Sequence, residues 1–194
     1  MKHLSHIALA LMLATAITAP SATASELIPH RAEYKVKISV VSGQLNTELK
    51  ATDTGYAATH VIKPIGLSRM ITRGTLSVSS TFNADANGVK PKTYHAIDTI
   101  GDDPETYIAF DWNTNEASGT VGEENVLLQL DGVAHDSVSI QYALMYDLLN
   151  GGPDGTYVLF DVDKMRVADV RNVGTKQIKT KAGQYSAVGI QHQK

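Results

Sequence analysis

The chain is 194 residues long, with 17 Lys and Arg, 20 Asp and Glu, and no cysteine. The missing cysteine excludes disulfides, thiol nucleophiles and thiolate metal sites. The slightly acidic balance offers no overall attraction to nucleic acid.

The first 24 residues read as an export signal. Met1-Lys2-His3-Leu4-Ser5-His6 is a short basic start, residues 7–19 are apolar, and Ala22-Thr23-Ala24 satisfies the small-residue rule for cleavage between Ala24 and Ser25. The apolar run of thirteen residues is short of the roughly 20 needed to cross a bilayer. With no cysteine to acylate, the simplest lipoprotein anchor is also excluded. A product free in the periplasm of a two-membrane bacterium is expected, with secretion as the alternative. Taking 24 from 194 leaves 170 residues; taking Lys2 from the basic count leaves 16 against 20 acidic groups, a net charge of −4. That length suits a single domain, 25–194, with one core.

Ala32, Tyr34, Val36, Ile38 and Val40 alternate with Arg31, Glu33, Lys35, Lys37 and Ser39, the period-two pattern of a half-buried strand. Ser42-Gly43 reads as the turn, and Leu45, Thr47, Leu49 and Ala51 as the return strand. Asp53-Thr54-Gly55 then turns the chain into Tyr56, Ala58, His60 and Ile62. The opening is therefore an antiparallel meander with a dry face and a wet face. Pro64 and Gly66 break this rhythm, and Ile65, Leu67, Met70 and Ile71 no longer alternate, which predicts a short helix or an apolar loop. Leu76, Val78, Ser80 and Phe82 resume alternation until a hairpin loop over 83–88. Strands are predicted over 94–100 and 106–112, either side of the turn Gly101-Asp102-Asp103-Pro104, and around Val126, Leu128 and Leu130. Residues 157–162, 166–173 and 185–192 complete the strands, the last after the turn Lys181-Ala182-Gly183-Gln184.

Residues 137–149 are the one predicted helix. Val138, Tyr142, Met145 and Leu149 recur at three- and four-residue steps, so they share a face. Asp136 or Ser137 can cap its start, and Asn150-Gly151-Gly152-Pro153 ends it. Ile140, Ala143, Leu144, Tyr146 and Leu148 widen the apolar arc, so the helix is expected to be covered on more than one side. The whole reads as a mainly β domain, a meander curled into a half-barrel around this helix.

No catalytic constellation stands out. His95 and Asp98 lie three apart on one strand and therefore point to opposite faces. His60 falls on the apolar phase of its strand and reads as a core histidine; His135 reads as solvated. Asp161 and Asp163 share a strand face about 6.6 Å apart, yet Lys164 adjoins them and no third metal ligand is evident. Asp102, Asp103 and Glu105 form an acidic turn, Asp111 beside Trp112 suits a structural hydrogen bond, and Ser137 and Ser139 lack a partnered base. No cofactor is expected. Charge is uneven: eleven acidic residues against Lys90 and Lys92 over 85–136 give −9, while seven basic residues against Asp169 over 164–194 give +6.

Tyr34, Gly88-Val89-Lys90-Pro91-Lys92-Thr93-Tyr94, Phe110-Asp111-Trp112, Asp136-Ser137-Val138-Ser139 and Thr180-Lys181-Ala182-Gly183-Gln184-Tyr185 resemble an uncharacterised family of exported bacterial proteins, domain of unknown function thirty-one-zero-eight. More distantly the chain is similar to periplasmic lipoprotein carriers and mycobacterial lipid-transfer proteins. That resemblance implies an open half-barrel with an apolar cavity and brings no catalytic residues. Relatives run on into further strands, so this chain is expected to lack its final hairpin and to leave its last strand as an unpaired edge. The function expected is non-enzymatic binding of a hydrophobic, lipid-like ligand, with Tyr142, Met145, Tyr146, Leu149, Ile65, Leu67, Met70 and Ile71 as its site and the basic tail touching anionic membrane. The alternatives are an envelope assembly factor working through sheet edges, and a hydrolase using His60, His95 and Asp98.

Overall fold

A computed structural model describes residues 25–38, 41–101, 103–152, 155–161 and 164–193; the signal segment lies outside them. β1 (His30–Ile38), β2 (Val41–Thr52), β3 (Gly55–Pro64), β4 (Leu76–Asp85), β5 (Gly88–Asp98), β6 (Thr106–Asp111), β7 (Glu116–Val121) and β8 (Glu124–Gln129) pair in chain order as one antiparallel sheet. Its outer strands, β1 and β8, do not pair with each other, so the curl stays open as a half-barrel. β9 (Ala134–His135), α1 (Ser139–Leu149), β10 (Gly155–Asp161), β11 (Lys164–Thr180) and β12 (Gly183–Gln193) follow, and the strands make a second sheet in the order β12-β11-β10-β9. β9 is parallel to β10, and α1 is the crossover between them.

Register places one side chain in two from each strand on the concave face. His30, Leu49, Ala58, Ser80, Tyr94, Ile108, Gly119 and Val126 form one row across it, and Tyr34, Leu45, Ile62, Leu76 and Asp98 form a row nearer the open end. Gly119 keeps this curl possible, since a Cβ there would lie 1.8 Å from the Tyr107 carbonyl oxygen. Two cores result. Val138, Tyr142, Ala143 and Tyr146 of the helix region pack on Leu49, Ala58, Phe82 and Val89, joined by Leu27 of the leading segment. Ile108, Phe110 and Ala117 of the first sheet pack on Ala134 and Phe160 of the second.

Several expectations need correction. Ser42 and Gly43 lie inside β2, whose pairing with β1 already begins at Val41 opposite Ile38. β7 has no counterpart in the sequence reading, since Ala117 and Gly119 are too small to announce a dry face. β11 runs to Thr180, well past the predicted end at 173. The helix starts at Ser139, two residues later than predicted, and buries Ser139, Tyr142, Ala143 and Tyr146 rather than the face through Met145 and Leu149. Gln141, Met145 and Leu149 are exposed, which leaves one side of the helix open. The stretch at 65–71 is a short 3-10 turn, Gly66–Met70, pinned to the β1–β2 end by the Ser42 N–H donating to Ser68 Oγ at 2.7 Å.

Asp136 docks the helix. Its Oδ1 accepts the backbone N–H groups of Val138 (2.9 Å) and Ser139 (2.8 Å), filling the capping role at the helix start. Its Oδ2 accepts the Ser80 hydroxyl of β4 at 2.7 Å and the Ser139 hydroxyl at 2.8 Å, and the residue is 0 % exposed. Burial raises the carboxyl pKa, and the four donated hydrogen bonds oppose that rise. At the other end the Gly152 N–H donates to the Asp147 carbonyl at 2.7 Å, with Gly151 and Gly152 at φ 134° and 118°. The Asp136→Ala variant is expected to lose about 3 kcal/mol in urea unfolding, a cap plus stranded hydroxyls. Asp136→Asn keeps an acceptor for the two N–H groups and is expected to lose less than half of that. Equal losses in the two variants would contradict the capping role.

Candidate functional site

The helix covers only part of the concave face. Where it stops, an apolar groove opens between α1 and strands β2 to β7. Its larger cavity, about 580 Å³, is walled by Leu45, Ile62, Leu76, Val78, Ala96 and Val121, with His60, Tyr94, Ser137 and Gln141 along the helix side and Asp98 and Asp103 at the mouth. A second cavity of about 440 Å³ continues toward β1, bounded by Tyr34, Val36, Tyr142 and Met145. Leu45, His60 and Gln141 border both.

Burial favours the neutral forms of the two phenols and the imidazole in this groove. The Ser137 hydroxyl donates to Tyr94 Oη at 3.2 Å, and burial raises the Tyr94 pKa. Burial, and then the neighbouring Tyr34, push the Tyr142 phenol up to about 12. Burial lowers the pKa of His60, whose ring sits 6.1 Å from that of Tyr142. Asp98 Oδ1 accepts the N–H groups of Ile100 (2.7 Å) and Gly101 (3.0 Å) and so closes the next turn.

The predicted ligand residues are divided by the fold. Tyr142 and Met145 border the second cavity. Tyr146 does not: its ring is in the core, and its hydroxyl donates to the Asp85 carbonyl at 2.9 Å. Leu149 is exposed near the far end of α1, away from both cavities. Ile65 is half-buried, and Leu67, Met70 and Ile71 stand out on the 3-10 turn at the open end of the sheet, 81 %, 84 % and 66 % exposed. The walls of this groove are the ordinary alternating residues of β2 to β7, which the sequence reading did not single out. Nothing in alternation distinguishes a covered row from an open one.

The remaining candidates do not converge. His95 lies on the convex side, where Nε2 meets Glu105 Oε1 at 2.6 Å, while Asp98 faces the groove as strand alternation requires. His60 and Asp98 both border the groove, on β3 and β5 with β4 between them, and Asp98 is engaged by its own turn. Asp111 Oδ1 accepts the Asn113 N–H at 2.8 Å, a structural role. Asp161 pairs with Arg166; Asp102 and Asp163 lie outside the described residues. His135 overturns its expectation: it is 6 % exposed, in the β9 ladder beside Tyr157, because docking of α1 and β10 buries the segment before the helix.

Every element that walls the groove falls within residues 30–193, the span matched by the model of one family, described as protein of unknown function (DUF3108). The chain belongs to this family. No curated protein and no solved structure matches it.

His135 supplies a pH test. Its Nδ1 is buried without a partner, and burial lowers its pKa from 6.5 to about 4. Below the higher value the unfolded chain takes up a proton that the folded state refuses. The stability involved is therefore complete above pH 6.5 and drains away as pH falls towards 4. His135→Phe is expected to lose less stability than wild type between those limits, by on the order of 2 kcal/mol. Parallel denaturation midpoints for the two proteins across that range would refute the assignment.

Proposed function

We propose that this protein is a non-enzymatic carrier of the cell envelope that holds a hydrophobic, lipid-like ligand on the concave face of its half-barrel. The observation that supports it is the half-buried row Leu45, Ile62 and Leu76, apolar side chains beyond the reach of α1 that wall, with Val78, a cavity of about 580 Å³. That volume lies within the roughly 300–1,000 Å³ of small-molecule sites, and an apolar wall of this kind gains from excluding water. Met145 and Tyr34, 38 % and 53 % exposed, extend the same surface without a partner to cover them. The leading 24 residues, read as an export signal, support a periplasmic location for this carrier.

The second sheet supports a membrane step in the same cycle. Beyond Val170, β11 pairs only with β12, and this ribbon has Arg171, Lys176, Lys179 and Lys181 with no acidic residue from 171 to 193. Val173, Ile178, Tyr185 and Val188 are exposed on it. Cations interleaved with apolar side chains suit the headgroup region of an anionic bilayer, where each Lys or Arg contributes about 1 kcal/mol. The alternative, an assembly factor, draws on the same ribbon, because β12 is an edge strand open to pairing with another chain.

Native mass spectrometry of the purified protein, followed by organic extraction, is expected to show retained acyl lipid near one per chain. Ala96→Trp, which fills the groove from its wall, is expected to abolish uptake of the neutral dye Nile red while the melting temperature stays within a few degrees. Dye uptake unaffected by that substitution would place binding elsewhere and sink the carrier reading.

The ribbon is tested with phosphatidylglycerol-containing vesicles. Sedimentation with them is expected for wild type at low salt and not for the triple variant K176E, K179E and K181E; equal sedimentation of both would remove the membrane step.

A further inference from the structure

His60 is the polar group in the groove that the fold itself does not explain. Its side chain is 6 % exposed, yet Nε2 is buried without a hydrogen-bond partner. It sits between Thr47 and Val78 in the ladder, and the Thr47 hydroxyl is turned to the Ala32 carbonyl at 3.4 Å. An unpaired polar nitrogen in an apolar wall is a net cost to folding. Packing alone would be better served by an aliphatic residue. His60 lines both cavities, as does Gln141 of α1.

We infer that the groove takes a neutral lipid with a hydroxyl beside an ester, a monoacylglycerol type of ligand, whose polar group pairs with His60 while its acyl chain lies along Ile62, Leu76 and Val78. This rests on the carrier reading above. Charge selects the neutral head. Asp98 and Asp103 line the larger cavity, and among its described lining residues there is no Lys or Arg, so a free carboxylate or phosphate meets like charge there. Lys35 borders only the smaller cavity, on β1. Burial lowers the His60 pKa, so the imidazole offers one donor and one acceptor and no positive charge. The unpaired Nε2 donates or accepts according to tautomer, and a hydroxyl can answer either role; Gln141, which lines the same cavities, carries an amide N–H for an ester carbonyl.

Displacement of Nile red from the full chain at neutral pH tests the inference, with monoolein and oleate as probes. Monoolein is expected to displace the dye at a concentration roughly tenfold lower than oleate, the loss of one good neutral hydrogen bond. His60→Leu is expected to melt higher than wild type and to lose roughly tenfold in monoolein affinity, and with it the preference over oleate. His60→Gln, which restores a donor and an acceptor, is expected to recover part of that affinity. A purely structural histidine would not link higher stability to lower monoolein affinity. Equal displacement by the two lipids, or monoolein binding unchanged in His60→Leu, overturns the head-group assignment and leaves the carrier reading standing. Failure of wild type to take up Nile red overturns both.

Discussion

A buried carboxylate decides how much of the sheet the helix covers. Asp136 is engaged from one side by the first N–H groups of α1 and from the other by the Ser80 hydroxyl in the middle of β4. The helix start is therefore held over the row of Ser80 and Tyr94, and α1 extends from there across Ala58, Leu49 and Phe82. The row of Leu45, Ile62 and Leu76 is left bare. Had the anchor been one residue pair further along β4, the helix would lie over the groove and the concave face would be an ordinary core. The cavity is thus a consequence of where a single polar contact sits, and the desolvation that raises the carboxyl pKa is the cost of placing it.

The two cores meet at Tyr94, which packs against both the helix cluster and the inter-sheet cluster. Its ring therefore links the two halves of the molecule, and its hydroxyl, bonded to Ser137, borders the groove. Trp112 braces the neighbouring edge: its indole N–H donates to the Pro91 carbonyl at 2.6 Å, and its ring stacks on Phe110, which meets Phe160 of the second sheet edge-on. The groove thus has a stiff back wall, β4 to β6, while its β1 side is an outer strand of the sheet.

Alternation along β1 to β4 made the opening meander and its dry face legible in the sequence, because most inward positions of those strands are apolar and their neighbours polar. It failed where that signal is weak or is overruled by tertiary contacts. β7 presents Ala117, Gly119 and Val121, and small residues leave little pattern. β11 beyond Val170 is wet on both faces and so lacks the asymmetry by which a strand is read. In α1 apolar residues occur on every side, and the burial of Ala143 and Tyr146 over Met145 and Leu149 follows from the Ser80 anchor rather than from spacing. His135 and Asp136 look like a polar prelude to a helix; only the docking of α1 and β10 buries them. His60 was legible as an inward residue, and its missing partner was not, since a partner is a property of space and not of order.

The order of the first sheet also bears on how the chain reaches this state. All seven of its ladders join strands adjacent in the chain, from β1–β2 to β7–β8. Each therefore closes a short loop and loses little chain entropy. The Asp136–Ser80 contact instead spans 56 positions and needs a curved sheet to receive it. In a contact-order picture the half-barrel assembles first, empty and with its whole concave face in water, and the helix arrives afterwards as a partial lid. The groove is then the part of that early surface which folding never finishes covering.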